Sequence, residues 1–452
     1  MSVNIRSIFT KLNNKHILSL IGNGIISGVG MVTSIILLRA LSITDMGDWI
    51  LFLTSFLLLD TFRSGFLTVA FIKFYSGAEE KRAKEIMGST WIIAMLITVF
   101  FLVLNIPAYF ISVYTQNDGV SLFLKWFGVT YIVSLPFFVA TCVLQAKQRF
   151  DQLLVLRLFN QGSFVIFLIL FILLKNINIH TVIYSYILSN VLSSLVALIK
   201  NWTLVGAIKY RSRQALDELY HFGKFSVGTT ISASLFGTAD KFIINFLLGP
   251  AALAIYDTGG KLMQVVEIPL RSFIATAMPS LSGFYNKGLK SEVLIVMKKY
   301  IGMITITLIP LVLLTFIFAD YIILILGGEK YVNSAAPNIL RIFIIIALLF
   351  PVDRFLALTL DVIHQPRINF LKVIIMLIIT IITDLIGVYV TGNVYGVALA
   401  TVFPVLTGII ISFYALNRYY ARFNFLDIYF HGFKELIIFY NKFFKLGVKH
   451  QT

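Results

Sequence analysis

The feature that leaves this chain the fewest options is its long, unbroken apolar runs. Ile374-Ile375-Met376-Leu377-Ile378-Ile379 lies inside one of about twelve such segments, at 17–38, 48–72, 86–106, 120–144, 153–174, 179–200, 221–247, 251–281, 297–319, 335–360, 368–390 and 394–417. A helix needs about 20 apolar residues to cross the hydrocarbon of a bilayer, so each segment can cross, and several are long enough to tilt. A strand-built membrane protein would alternate polar and apolar residues in roughly ten-residue stretches, and these runs do not alternate. The expected fold is therefore an all-α integral membrane protein with about twelve transmembrane helices. Composition agrees. With 58% hydrophobic and 13% charged residues over 452 positions, too little polar material exists to cover a water-facing surface. Disordered, collagenous, disulfide-scaffold and cytosolic-enzyme readings are excluded. The single cysteine, Cys142, sits inside an apolar run and has no internal disulfide partner. The first segment reads as a retained helix and not a cleaved signal, because Arg39-Ala40-Leu41 follows it in place of a small-residue cleavage site.

The net charge of +16 would suggest nucleic acid on a soluble chain. Here its distribution gives orientation instead. With the N-terminus placed in the cytoplasm, the inner segments carry about 25 Lys and Arg, whereas the outer ones carry about 3, namely Arg39, Lys175 and Lys330. Both termini are accordingly expected inside. The outer loops are too short to bury a core of their own. Residues 423–446 mix Phe, Tyr, Leu and Ile with Asp427, His431, Lys434, Glu435, Lys442 and Lys445, and read as an amphipathic helix lying on the inner surface. The expected division is an N-lobe at 1–200, a linker at 201–217, a C-lobe at 218–417 and a cytoplasmic tail at 418–452. A weak two-fold repeat supports two lobes. Leu41, Gly47 and Trp49 are matched in spacing by Leu248, Ala254 and Tyr256, Asp60 and Arg63 roughly by Glu267 and Arg271, and Phe74-Tyr75 by Phe284-Tyr285. Six helices per half makes such a repeat parallel, with a site expected where the halves meet.

Nine basic residues fall inside the spans: Arg63, Lys125, Arg157, Lys224, Lys241, Lys261, Arg271, Arg341 and Arg354, with Asp60, Asp240, Asp257, Glu267, Asp353 and Asp384. Lys125, Arg157, Lys224 and Arg341 lie near span ends and can reach the headgroups. The other bases are deeper. A charge at mid-bilayer costs roughly 2.5–3.5 kcal/mol, so such residues tend to face a polar pathway. Asp257, Lys261, Glu267 and Arg271 fall within one arc of the eighth span, and Asp60 and Arg63 share a face of the second. One reading makes them neutralised pairs tying helices together. The other makes them the lining of a hydrated cavity whose positive excess suits an anion, with arginine able to grip phosphate bidentately. Pro136, Pro269, Pro310, Pro351 and Pro404 interrupt spans, and Gly22, Gly24, Gly28 and Gly30 suit close packing of the first helix. The six histidines form no metal-ligand pattern and no P-loop is present, so ATP does not drive the chain directly. A coupling ion, H+ or Na+, is the expected energy source, with no other cofactor.

Three stretches resemble a known family. They are Arg39-Ala40-Leu41 through Met46-Gly47-Asp48-Trp49 with Ile72-Lys73-Phe74; Leu144-Gln145-Ala146-Lys147-Gln148-Arg149-Phe150; and Phe222-Gly223 through Asp240-Lys241, Leu248-Gly249, Tyr256, Lys261-Leu262 and Pro279. Together they are similar to the multidrug/oligosaccharidyl-lipid/polysaccharide exporter superfamily, closest to Wzx-type O-antigen and polysaccharide flippases. Ala254 departs from the glycine usual two residues before the tyrosine. The resemblance implies two six-helix lobes around a central cavity. It implies a polyprenyl-diphosphate-linked oligosaccharide carried from the cytoplasmic to the periplasmic leaflet by alternating access, in the bacterial inner membrane and in lipopolysaccharide assembly. Partners would be that lipid-linked sugar, membrane lipids and other polysaccharide-assembly membrane proteins, with no nucleic acid. Arg63, Lys241, Lys261, Arg271 and Arg354 become the expected substrate-binding residues. Asp60, Asp240, Asp257 and Glu267 become the orienting or ion-coupling ones. A drug/cation antiporter would want an acidic cavity, a membrane polymerase or ligase a large outer loop, and a structural scaffold fewer buried charges. The chain is expected not to be an enzyme.

Overall fold

The computed structural model describes residues 15–425, 427–430 and 432. Beyond residue 432 the expected amphipathic tail lies outside the described residues. The described elements are all helical. Those of the first half are α1 (Lys15–Ala40), α2 (Ile43–Tyr75), α3 (Glu80–Ser112), α4 (Asp118–Val133), α5 (Leu135–Ala146), α6 (Phe150–Leu173), α7 (Ile179–Ile199) and α8 (Arg213–Phe236). There follow α9 (Ala239–Leu248), α10 (Pro250–Gly260), α11 (Met263–Asn286), α12 (Lys290–Ile317), α13 (Ala319–Gly327), α14 (Glu329–Val332), α15 (Ala336–Ile346), α16 (Phe350–Val362), α17 (Pro366–Thr391), α18 (Val394–Ala400) and α19 (Val402–Tyr419). Among the described residues 9 helices are long and apolar enough to cross a membrane, and 11 if two bent pairs each count once. The bent pairs are α4–α5, at 49°, and α8–α9, at 47°. The expected eighth span falls on α10 and α11 and is not among these: it is broken near Lys261 and carries Asp257, Lys261, Glu267 and Arg271.

Local chemistry sets the ends. Ser42 caps α2 by accepting the Asp45 amide at 3.0 Å, and Asn178 and Thr181 close a reciprocal box at the start of α7. Pro136 stands in the first turn of α5, Pro250 in that of α10 and Pro351 in that of α16, where a missing N–H costs nothing. Pro269 and Pro310 lie inside continuous helices.

The chain divides into two compact units, one ending at Leu235 and one beginning at Phe236. The first therefore takes in residues 201–217 and most of α8, and does not end at residue 200. The cause is packing: Ala215, Leu219 and Val227 join Phe66, Leu67, Phe71, Trp91 and Tyr131 in one buried cluster. Gly223 sits so close to Phe66 that a Cβ there would lie 2.6 Å from its ring. Trp49 and Tyr186 meet edge to face at 5.6 Å deeper in the same unit. Close packing accounts for Gly22, whose Cβ would touch Leu154 at 3.4 Å, but Gly24, Gly28 and Gly30 have nothing within 4 Å. In the second unit Val266, Val312, Ile344 and Ala347 are buried together. Here the chain following α19 returns onto α12, where a Cβ on Gly302 would lie 2.4 Å from the Ile428 carbonyl oxygen.

Candidate functional site

The charged residues expected to act together divide into groups that differ in burial and in charge balance. In the first unit, Arg63 is 1% exposed. Its Nη2 donates to Asp60 Oδ1 at 2.6 Å and to Ser134 Oγ at 3.0 Å, and its Nη1 donates to the Tyr131 carbonyl at 3.1 Å. The guanidinium also lies over the Tyr131 and Phe138 rings, 4.2 and 4.6 Å from their centroids. Tyr131 and Ser134 flank the break between α4 and α5. Breaking a helix inside lipid frees backbone carbonyls that must find a donor, and Arg63 supplies one. Only its Nε is without a partner.

In the second unit, Lys241 and Lys261 converge on one carboxylate. Lys241 Nζ is 2.7 Å from Asp257 Oδ1, and Lys261 Nζ is 2.8 Å from Asp257 Oδ2. Asp257 is 9% exposed, the lysines 26% and 22%, so the acid is covered and the bases are reachable. Lys241 lies in the first turn of α9, Asp257 one turn before the end of α10, and Lys261 at the break that follows. Asp240, beside Lys241, accepts the Tyr256 hydroxyl at 2.8 Å and the Lys241 amide at 2.9 Å. An acid at this position also meets the positive end of α9.

The remaining expected residues form a second pair of bases on one acid. Glu267 Oε2 accepts from Arg271 Nη2 at 2.9 Å, and its Oε1 is 3.6 Å from Arg354 Nη2. Arg271 is 78% exposed and Arg354 49%. The pairs Asp60–Arg63 and Glu267–Arg271, matched in the sequence repeat, are thus both formed, one deeply buried and one open.

Two buried polar groups, Lys372 and Asn245, escaped the sequence reading, and a third, Asp384, was noted there among the in-span acids but given no role. Lys372, counted there among inner-loop charges, is inside α17 and pairs with Asp353 at 3.0 Å, both nearly sealed. Two spans of sequence separate them only by a tight turn, which a charge count assigns to the loop. Asp384, also on α17, is 1% exposed and its Oδ2 has no partner. It lies within electrostatic reach of Asp240 and Tyr256. Asn245, also on α9, is equally buried with both amide atoms unpartnered. The signal for Asp384 was present: it is the sole acid in the long apolar helix Pro366–Thr391. Among the described residues no three His, Cys, Asp or Glu side chains gather as a metal site.

A sequence profile of the family described as "Polysaccharide biosynthesis protein" matches residues 12–284, more than half of the chain. The chain belongs to that family. A curated relative, the probable low-salt glycan biosynthesis flippase Agl15 of Haloferax volcanii, is 22% identical over 337 residues, covering 72% of this chain and 68% of its own. Two solved structures share the fold. One is an inward-facing multidrug resistance MATE family transporter of the MOP superfamily, with TM-score 0.72, 16% identity, and coverage of 85% of this chain and 92% of its own. The other is the lipid II flippase MurJ in an inward closed conformation, with TM-score 0.72, 15% identity, and coverage of 95% and 93%. The family and the expected all-helical membrane fold are thereby shown.

Proposed function

We propose that this chain carries a polyprenyl-diphosphate-linked oligosaccharide, of the polysaccharide or O-antigen repeat-unit kind, from the cytoplasmic to the outer leaflet of the plasma membrane by alternating access, with both termini inside. The observation that carries the reading is the charge balance of the second unit. Asp257 is shared by Lys241 and Lys261, with Asp240 beside Lys241 balancing that group, and Glu267 is shared by Arg271 and Arg354, which therefore keep one positive charge in excess. In each group the bases are more exposed than the acid they share. An anion with two phosphates, or an acidic sugar, complements such a surface, and a cationic drug does not. The shared fold does not separate flippases from multidrug transporters, so charge decides. Asp257 and Glu267 orient the bases. Arg63, sealed by its own partners, supports the bend in the first unit, and Asp60, 25% exposed, is the part of that pair that can be reached. Coupling to H+ or Na+ is assigned to Asp384 with Asp240, because a carboxylate oxygen buried without a partner is costly unless it holds a proton or cation during the cycle.

The test is to delete the gene, or replace it with a Lys241→Ala/Lys261→Ala variant of confirmed membrane level, and analyse the lipids. The expected result is build-up of a polyprenyl-diphosphate oligosaccharide that only inner-side reagents reach. An unchanged lipid profile in both strains overturns the reading.

A further inference from the structure

A cavity of about 410 Å³ opens at one end of the first unit, where the loops after α2, α5 and α7 come together. Its lining includes Lys84, Lys147, Lys209, Glu80, Tyr75 and Tyr210. Lys84 Nζ is held 2.6 Å from Glu80 Oε1. Lys147 and Lys209 pair with no carboxylate among the described residues. Both Lys84 and Lys209 also approach the Tyr210 ring, at 5.7 and 5.2 Å from its centroid. Three ammonium groups therefore surround the space against one carboxylate. The floor is apolar, from Met87, Ala83 and Leu204.

The wall carrying Lys209 and Tyr210 is fixed. Trp91 Nε1 donates to the Thr203 carbonyl at 3.0 Å, and Ser89 Oγ accepts the Ser212 amide at 3.2 Å. A Cβ on Gly88 would lie 2.4 Å from the Ala207 carbonyl oxygen, so only glycine lets the short 3-10 turn Val205–Tyr210 settle on α3. A rigid basic hollow lined by two tyrosines and by apolar side chains matches one ligand chemistry, a phosphate carried on a small organic body. The volume exceeds what bare phosphate fills. The three loops also belong to the set that the lysine and arginine bias puts on the inner side, where anionic headgroups concentrate.

We propose that this hollow binds a phosphate-bearing group, either the headgroup of an anionic lipid or a soluble organic phosphate, as a site separate from the bases of the second unit. The proposal holds whether or not the chain carries a lipid-linked glycan. The test compares the full chain in phosphatidylglycerol nanodiscs with that in phosphatidylcholine nanodiscs, the latter with and without glycerol 1-phosphate. Ligand retention is read by native mass spectrometry and protection by thermal unfolding. The wild type is set against Lys147→Ala/Lys209→Ala, Lys147→Arg/Lys209→Arg and Lys175→Ala, which lies outside the hollow. The alanine pair should bind about tenfold more weakly, the loss expected for two exposed charge contacts, while the arginine pair and Lys175→Ala bind as the wild type does. Phosphatidylglycerol binding alone identifies a lipid headgroup, and equal protection by glycerol 1-phosphate identifies a soluble phosphate; both sustain the site. Equal binding by the wild type and the alanine pair overturns it. So does an equal loss in Lys175→Ala, which would mean diffuse charge attraction.

Discussion

Arg63→Ala and Arg271→Ala remove residues that occupy matching places in the sequence repeat, yet the structure gives them opposite outcomes. Arg63→Ala takes away three hydrogen bonds and two ring contacts, and leaves Asp60 without its donor and the Tyr131 carbonyl with Ser134 Oγ alone. Polar contacts between helices in lipid average about 0.6 kcal/mol each, which gives about 2 kcal/mol for the hydrogen bonds. Stranding one partner of a buried pair costs about 3–5 kcal/mol, reduced here because Asp60 is 25% exposed. A net loss of about 3 kcal/mol is expected, or roughly 6–12 °C in the unfolding temperature of a unit this size. Arg271 is 78% exposed and salt-bridged only to Glu267, so Arg271→Ala costs at most about 1 kcal/mol while impairing transport. The assay is thermal unfolding of both variants in detergent beside lipid-linked sugar export in cells. A third variant, Asp60→Leu/Arg63→Met, replaces the ion pair by apolar groups and should recover stability to within about 1 kcal/mol. If Arg63→Ala unfolds at the wild-type temperature, the assignment of Arg63 to the α4–α5 bend is refuted.

Lys372→Ala strands Asp353 in the second unit and is expected to cost about 3–5 kcal/mol, whereas Lys372→Met/Asp353→Leu should be nearly neutral, as thermal unfolding of each will show. Asp384→Asn keeps the shape of the side chain and removes its charge; it should leave the unfolding temperature unchanged or raised and abolish the dependence of export on the H+ or Na+ gradient, measured in vesicles with imposed gradients. Export that still follows either gradient in that variant removes Asp384 from coupling.

The helices were legible because the constraint behind them is simple. Backbone satisfaction in hydrocarbon forces long apolar runs, and each expected span has a helical counterpart, even where Ser134, Gly237-Thr238 or Lys261-Leu262 breaks it. The breaks themselves were only partly legible. Pro136 marks the bend at α4–α5, but the bend between Phe236 and Ala239 has no proline to announce it. The site was legible as a set of residues and not as a set of partners. Sequence spacing pairs Asp257 with Lys261 and Glu267 with Arg271, since those lie one turn apart. It cannot show that Lys241 reaches Asp257 from another helix, or that Arg354 reaches Glu267. Nor does it separate Arg63 from Arg271, because burial depends on what the neighbouring chain places around them. Lys372 was misplaced for the same reason: a lysine five residues after Arg367 reads as loop until Asp353 is seen to hold it inside.

The contrast among these groups is what gives the second unit its meaning. Where Lys372 meets Asp353, one base and one acid neutralise each other and both are closed off, and Arg63 is likewise sealed with one acid, although Asp60 stays 25% exposed. A charge in lipid costs roughly 2.5–3.5 kcal/mol, so neutral pairs are the economical solution to a structural need. The segment from Asp257 to Arg271 departs from that pattern twice. There a single acid serves two bases, and the bases remain reachable. Without Asp257, Lys241 and Lys261 would repel each other across a few ångströms; with it and Asp240 they are held and balanced, whereas Arg271 and Arg354 share Glu267 and keep a surplus. The missing negative charge has to come from elsewhere. Under the function proposed above, solvent ions would supply it when the site is open to water, and a diphosphate would supply it when the site is loaded. A loaded site is therefore closer to neutral than an empty one and cheaper to move past hydrocarbon. On that proposal the same surplus would both admit an anionic headgroup and lower the barrier to carrying it across, which a balanced or acidic cluster would not do.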